Sequence, residues 1–244
     1  MTVKWDRDGC DPVQWTILAT DPNWRKWRPS DPTSPHWYDE ARLARLIANT
    51  IAYSEDRKEP CPTVWAFVRQ FRGLSGTAKA KAICEAAGAG RMSLTQFYGD
   101  GEAGRASALL DAMRKQSRPI KPRDLGIIGE AHLRAKLESA GAAPESFNYK
   151  KSEIEHDGVP YLAEAAFGYC PKGINERRII TGVNWSPAIS GDPFRRLGDL
   201  GQSLGSILTK QRAGPGEPII TVLHLACPRI EYLDRGKSSV SLPS

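Results

Sequence analysis

The sequence predicts an α+β protein in which a small helical bundle precedes a sheet with one crossover helix. Between residues 39 and 116, apolar residues recur at spacings of three and four, and glycine turns separate the runs. After residue 140 the apolar runs become short and rich in β-branched residues, with one more helical pattern among them. We therefore divide the chain into residues 1–60, 61–127 and 128–244.

The N-terminal stretch VKWDRDGCDPVQWTIL, residues 3–18, predicts two short strands joined by a turn at Gly9. An isolated hairpin is marginally stable in water, so we expect this one to be the edge of a larger sheet outside this chain. Residues 21–35 contain several prolines and predict an extended connector.

Five amphipathic helices are predicted in the middle of the chain. They begin near Asp39, Thr63, Ser75 or Thr77, Ser93 and Gly104. Residues 61–137 hold 13 basic and 6 acidic side chains, whereas the flanking segments are nearly neutral. Such an excess is typical both of surfaces that bind polyanions and of ordinary solvated helical faces. The candidate DNA-binding residues are Lys79, Lys81, Arg114 and Lys115.

The last segment predicts a layer of strands with helices. A helix is expected at 128–140, strands at 161–170, 177–185 and 218–227, and a crossover helix at 194–211. The buried stripe of that crossover helix would contain Leu197, Leu200, Leu204, Ile207 and Leu208.

Several kinds of chemistry are unsupported by the sequence. The five cysteines form no Cys-x-x-Cys pair and are expected to be reduced and buried, and no metal site is predicted. The four histidines fall in separate segments without a serine elbow, which disfavours a hydrolase, and His224 is expected to be a core residue. Because no apolar run is long enough to span a membrane and no signal peptide is evident, we expect a cytoplasmic protein without a membrane partner.

Near the C-terminus, Gly236, Lys237 and Ser238 match the last three positions of a P-loop. The first glycine of that motif is replaced by Glu231, and too few residues follow to form the helix that a phosphate site needs. A complete phosphate site is therefore excluded. Lys237 is either a solvated lysine on a turn or a lysine that reaches a phosphate bound elsewhere.

Several stretches, in the same order, resemble the B-subunit of topoisomerase VI and its bacterial relatives. FVRQFRGLSGTAKAKAI is similar to the start of the family's helix, two turns, helix domain, and RPIKPRDLGIIGEAHL to the segment that leaves it. VPYLAEAAFGY and ITGVNWSPAI are similar to the first strands of its transducer domain, and LHLACPRIEYLDRGKSSV to a later strand and turn. The matching positions are Gly129, Glu130, Glu164, Gly168, Tyr169, Asn184 and Pro187.

The resemblance implies a left-handed βαβ crossover in the sheet and a role for the C-terminal turn. Lys237 would be the switch lysine that reaches the terminal phosphate of ATP, and Gly236 would permit the turn. ATP and Mg²⁺ would be held by a partner GHKL-type ATPase domain, so no cofactor is expected to bind this chain alone. The other implied partners are DNA and a protein like the DNA-cleaving A-subunit of topoisomerase VI. Gly129, Glu130, Glu164, Asn184 and Pro187 are assigned structural roles.

The chain also departs from the family pattern. Residues 1–60 cannot supply the nucleotide pocket and resemble only the last edge of the ATPase domain, followed by a linker and a helix. We therefore expect neither tight ATP binding nor DNA cleavage by this polypeptide alone. Three interpretations remain open: the transducer half of a type IIB topoisomerase-like, ATP-driven complex; a stand-alone DNA-binding or adaptor protein that uses the basic helices; and an inactive, truncated remnant.

Overall fold

The predicted α+β class is confirmed by the structure, a computed structural model that describes residues 2–6, 9–16, 21–99, 104–188, 192–197, 201–235 and 239–242. The helices are α1 Glu40–Asp56, α2 Val64–Val68, α3 Thr77–Ala86, α4 Leu94–Tyr98, α5 Arg105–Gln116, α6 Glu130–Ser139 and α7 Leu204–Lys210. The strands are β1 Thr2–Trp5, β2 Val13–Thr16, β3 Asn148–His156, β4 Val159–Tyr169, β5 Arg178–Val183, β6 Ser186–Pro187, β7 Ile219–Ala226, β8 Glu231–Tyr232 and β9 Val240–Ser241. Short 3-10 turns lie at Pro35–Trp37, Pro122–Leu125 and Pro144–Ser146.

Helices α1 to α5 enclose one hydrophobic core. Its buried side chains include Leu43, Ile47, Phe67, Phe71, Ile83, Leu94, Leu109 and Met113. Side-chain oxygens of Asp39, Thr63 and Ser93 accept hydrogen bonds from the first turns of α1, α2 and α4, as their N-cap positions predict. The helix starts read from the sequence therefore agree with the structure to within a few residues.

The main sheet has five strands in the order β3-β4-β7-β5-β6. Strand β7 pairs antiparallel with β4 and parallel with β5. Because parallel neighbours need a crossover connection, the chain between β5 and β7 contains α7. A left-handed crossover stays a prediction.

The two faces of the sheet are covered by different helices. Side chains Val159, Tyr161 and Leu225 pack on one face with Leu204 of α7. On the other face, Ala166, Ile220 and Val222 pack with Leu133 and Leu137 of α6. The alternation along β4 and β7 follows from the period of two in a strand.

The crossover helix is shorter than the sequence predicts. Residues 192–197 are not helical, Leu197 forms an isolated bridge with Gln202, and α7 begins only after Ser203, whose hydroxyl accepts from the Ser206 N–H. Gly201 has a φ of 59°, which an α-helix cannot contain. Leu204 is buried, Ile207 and Leu208 are half-buried, and Leu200 lies outside the described residues. The predicted stripe is therefore wrong at its N-terminal end.

Two further expectations differ from the structure. The sequence does not predict strand β3, because the stretch NYKKSEIEH carries no apolar alternation and none of its side chains is buried. Cys84, Cys170 and Cys227 are buried free thiols, but Cys10 is exposed and Cys61 is half-buried, so the expectation of five buried cysteines is wrong.

The helical bundle and the sheet meet at the 3-10 turn Pro35–Trp37. Trp37 is buried in the core beneath α7, and its carbonyl oxygen accepts from the Arg229 guanidinium. His36 Nε2 lies 3.1 Å from the Ser117 hydroxyl at the end of α5. The backbone carbonyl oxygen of His36 lies next to Gly158 in the β3–β4 turn. This turn is therefore held from both sides.

Gly158→Ala tests whether the turn abuts the β3–β4 hairpin. Gly158 and Gly73 have similar φ values of 74° and 78°, but a Cβ at 158 would collide with the His36 carbonyl, whereas one at 73 would meet nothing within 4 Å. Both alanines adopt a left-handed conformation that costs roughly 1–2 kcal/mol. We expect Gly158→Ala to lower the free energy of unfolding, measured in urea, by about 1–3 kcal/mol more than Gly73→Ala. Equal losses would contradict the contact.

Candidate functional site

A cavity of about 870 Å³ opens on the face of the sheet that α6 covers only in part. Its floor is formed by β5 and β7, and its walls are the start of α6, the segment 21–26 and the β5–β6 turn. The lining residues are Asp21, Trp24, Lys26, Ile127, Ile128, Gly129, Glu130, Ala131, His132, Ile180, Thr181, Gly182, Trp185, Ser186, Pro187, Val222 and His224. It therefore contains three predicted motif positions, Gly129, Glu130 and Pro187.

One wall of the cavity is fixed by hydrogen bonds that tryptophans of the connector donate to main-chain carbonyl oxygens. The indole N–H of Trp24 donates to the Ile127 carbonyl oxygen at 2.6 Å, and the Trp27 N–H donates to that of Leu125 at 2.7 Å. Gly126 permits this approach, because a Cβ there would lie 2.7 Å from the Arg25 carbonyl oxygen. A glycine at position 126 is therefore required by the close packing of the connector.

The opposite wall is the β5–β6 turn, with φ values of 49° at Asn184 and 63° at Trp185. The Asn184 side chain donates to the Cys227 carbonyl oxygen and accepts from the Cys227 N–H, both at 2.9 Å, which ties the turn to the end of β7. Asparagine tolerates the left-handed conformation better than most residues. The Trp185 ring then lies 6.1 Å from that of Trp24, edge to face.

Beneath the cavity, the fully buried carboxylate of Glu164 links three elements. It accepts from the N–H groups of Ile128 and Gly129 before α6, at 2.9 and 2.8 Å, and from the Tyr149 hydroxyl of β3 at 2.8 Å. The imidazole Nδ1 of His224 on β7 is 3.5 Å away. Glu164 therefore fastens α6 to the sheet.

The Glu164 carboxyl is held in its ionised form. Burial alone raises its pKa, but the contacts from His224, the Gly129 and Ile128 N–H groups and the Tyr149 hydroxyl outweigh burial and lower the pKa below its usual range. Burial and the hydrogen bond to the carboxylate raise the pKa of Tyr149, so this phenol remains protonated. The pair is a permanent donor and acceptor at neutral pH.

His224 is arranged as a structural residue. Its Nε2 accepts the Trp185 N–H at 3.1 Å, which leaves the neutral ring's proton on Nδ1, facing Glu164. At 3.5 Å that contact is longer than a good hydrogen bond, and its effect is electrostatic. Because its Nε2 lone pair accepts from the Trp185 N–H, His224 has no free base to offer to the cavity.

The candidate DNA-binding side chains have different surroundings. Lys79, Lys81 and Lys115 are exposed, although Lys79 donates to the Gly73 carbonyl oxygen and Lys81 lies 3.8 Å from Glu85. The half-buried Arg114 donates to the Tyr38 carbonyl oxygen, beside the joint between bundle and sheet. DNA contact by these four residues stays a prediction.

The predicted switch residues, Gly236 and Lys237, lie outside the described residues. On either side of them, the Leu233 N–H donates to the Ser239 carbonyl oxygen at 2.8 Å, closing a hairpin of β8 and β9. Val240 is buried in the core that contains Trp37, and its N–H donates to the Pro193 carbonyl oxygen at 2.9 Å. The switch role of Lys237 remains a prediction.

In the part of the chain that the structure describes, no cluster of three or more histidine, cysteine or carboxylate side chains could hold a metal ion. No helix in this part is both long and apolar enough to cross a membrane.

Sequence reasoning missed two of the residues that build the cavity wall. Trp24 and Lys26 lie in a segment whose prolines predict only a connector. The tryptophan-rich composition of this segment was the available signal, since a tryptophan in a linker usually packs against something. Tyr149 was missed because the sequence pattern of β3 does not reveal a strand.

Comparisons with known proteins add little. No protein-family model and no curated protein matches the sequence. Among solved structures, the crystal structure of the B-subunit of DNA gyrase from Myxococcus xanthus is similar at 12% sequence identity with a TM-score of 0.26. The match covers 39% of this chain and 29% of that chain, so it spans less than a third of the gyrase protein. A likeness at this level carries no argument about function.

Glu164→Gln tests the buried carboxylate. An amide removes the charge and turns an N–H₂ group toward donors, so we expect the free energy of unfolding at pH 7 to fall by about 2–4 kcal/mol. Glu130→Gln is the control, because Glu130 is an exposed carboxylate that pairs with Arg134 at 3.2 Å and should cost about 0.5 kcal/mol or less. Similar losses for both variants would contradict the role of Glu164.

The difference in the free energy of unfolding between the wild type and Glu164→Gln should depend on pH. Because folding lowers the Glu164 pKa below its ordinary value of 4.5, this group stabilises the native state fully above pH 4.5. The contribution is lost as the pH falls through the lower, native-state value. The difference in stability between the wild type and Glu164→Gln should therefore shrink below pH 4.5, measured by urea denaturation at successive pH values; a constant difference would contradict the lowered pKa.

Proposed function

We propose that this chain is the transducer-half component of a topoisomerase-like, ATP-driven complex that processes DNA. In this proposal a GHKL-type domain on a partner polypeptide holds ATP and Mg²⁺, and a partner like the A-subunit of topoisomerase VI cleaves DNA. The chain couples the nucleotide state to DNA handling.

The observation that carries the proposal is the order of elements in the α/β layer. Strands β3, β4 and β5 come first, α7 follows, and β7 then inserts between β4 and β5, parallel to β5. A helical bundle precedes this layer along the chain. Together with the matching stretches of sequence, this order supports a transducer-type sheet.

A mechanical route from the C-terminal hairpin to the bundle also supports coupling. Val240 of β9 shares a core with Trp37, and Glu231 of β8 lies 3.2 Å from the Arg42 guanidinium of α1. Arg229, just before β8, donates to the Trp37 carbonyl oxygen. A displacement of β8 and β9, which flank Lys237 in the sequence, would therefore act directly on the joint between sheet and bundle, as a two-state coupling device requires.

Lys237→Ala tests the switch role in an assembly reconstituted with a GHKL-type ATPase partner. The loss of a charge-assisted contact to the terminal phosphate costs about 1.5–3 kcal/mol, so ATP turnover should fall by roughly tenfold or more. DNA affinity should stay unchanged, because the lysine is proposed to contact nucleotide. Lys172→Ala removes an exposed lysine elsewhere and should leave turnover intact. Turnover that survives Lys237→Ala would show that the switch role is wrong.

A second candidate function is a stand-alone DNA-binding or adaptor protein. It is favoured by the excess of seven positive charges in residues 61–137 and by the exposure of Lys79, Lys81 and Lys115. An inactive remnant, the third alternative, would show neither DNA binding nor ATPase coupling.

The salt dependence of DNA binding tests the basic helices. Each phosphate contact contributes about −0.9 to the slope of log K against log salt concentration, so neutralising three contacts should flatten the slope by about two to three. The variant is Lys79→Gln, Lys81→Gln and Lys115→Gln combined, with Arg114 kept because it holds the Tyr38 carbonyl oxygen. The control neutralises Lys150, Lys172 and Lys210, which lie in the sheet segment. An unchanged slope in the first variant would remove the bundle from the interface.

A further inference from the structure

The cavity beside α6 has no part in the proposed coupling function, and its chemistry indicates a use of its own. We propose that this cavity is a binding site for a small, planar aromatic molecule that carries one negative charge. The inference does not depend on the proposed function.

The size of the cavity and its apolar floor suit a small molecule. Its volume of about 870 Å³ lies within the range of about 300–1,000 Å³ that is typical of small-molecule sites. Helix α6 covers β4 and β7, where Ala166 and Val222 are buried, but it leaves Ile180 of β5 48% exposed. When a ligand removes a half-exposed isoleucine from water, the burial of that apolar surface contributes favourably to the free energy of binding.

Two tryptophans give the site its preference for aromatic ligands. Trp24 and Trp185 pack against each other edge to face, with ring centroids 6.1 Å apart, and together form one aromatic part of the lining. Each is fixed by a hydrogen bond, Trp24 through its indole N–H to Ile127 and Trp185 through its backbone N–H to His224. Because these walls are held in place before a ligand arrives, binding costs little ordering entropy. Rigid aromatic walls favour flat, polarisable ligands.

One cationic side chain of the lining, Lys26, can pair with an anion. Lys26 Nζ lies 5.6 Å from the centre of the Trp185 ring, and no carboxylate among the described residues pairs with it. The lining also contains two carboxylates: Asp21 accepts from the Asn23 N–H at 2.8 Å, and Glu130 pairs with the Arg134 guanidinium at 3.2 Å. Lys26 is therefore the charge that a ligand can neutralise.

The same carboxylates argue against a nucleic-acid strand in this cavity. A strand would bring several phosphates past Asp21 and Glu130, and like charges at such short range repel each other. One lysine also offers only one phosphate contact. A compact monoanion needs only one cationic partner, which Lys26 can provide.

Two fluorescent probes of nearly the same shape test the proposal on the full chain. 1-Anilinonaphthalene-8-sulfonate carries the negative charge, and N-phenyl-1-naphthylamine is the same ring system without it. Ala131→Trp fills the cavity from the first turn of α6, and Ser186→Trp fills it from the β5–β6 side. Ala135→Trp is the matched control, because Ala135 is exposed one turn further along α6 and does not line the cavity.

We expect both probes to bind the wild type and Ala135→Trp with one-to-one stoichiometry, and each filling variant to abolish binding. Lys26→Gln should weaken the sulfonate probe by roughly fivefold or more, which corresponds to about 1 kcal/mol, and leave the neutral probe within twofold. If the filling variants leave binding unchanged, the probes bind elsewhere and the proposal is overturned. If Lys26→Gln weakens both probes equally, the anionic class of ligand is wrong.

Discussion

The buried carboxylate of Glu164 is the interaction on which the α/β layer depends. It lies on β4, the strand between β3 and β7, and it binds a group from each of these neighbours and from the start of α6. Its four contacts compensate for the loss of water around a charged group, which is the condition for burying a carboxylate at all. The position of α6 relative to the sheet, and therefore the shape of the cavity, follows from this one side chain.

His224 extends the same arrangement to the other side of the cavity. Because Glu164 orients the Nδ1 side of the ring, Nε2 is presented to the Trp185 N–H and holds the β5–β6 turn. Asn184 adds a second fastening of that turn to Cys227. The Glu164 carboxylate and the His224 imidazole thus position two segments that line the cavity.

Local signals predicted much of the fold, because they depend on short-range physics. Capping residues such as Thr63 and Ser93 and the apolar spacing in α5 located the helical bundle. The start of α7 was missed because Gly201 interrupts an apolar pattern that otherwise continues, and β3 was missed because an exposed strand needs no apolar alternation. The positions Glu164 and Gly129 were identified, but their meeting is a long-range contact that only the folded chain brings about. The cavity could not be foreseen, since its two tryptophans lie far apart in the sequence.

The exposed edge strand has a consequence for how copies of this chain behave when crowded together. Among the described residues, no strand pairs with the outer side of the nine-residue strand β3, and such an open edge is where sheets of separate molecules can fuse. Its exposed side chains Lys150, Lys151, Glu153 and Glu155 would all have to be stripped of water in such a fusion. At the far side of the sheet, β6 is only two residues long and offers almost no ladder to extend. The charged side chains of β3 therefore disfavour strand addition at this edge, so the long edge strand can lie on the surface without promoting aggregation.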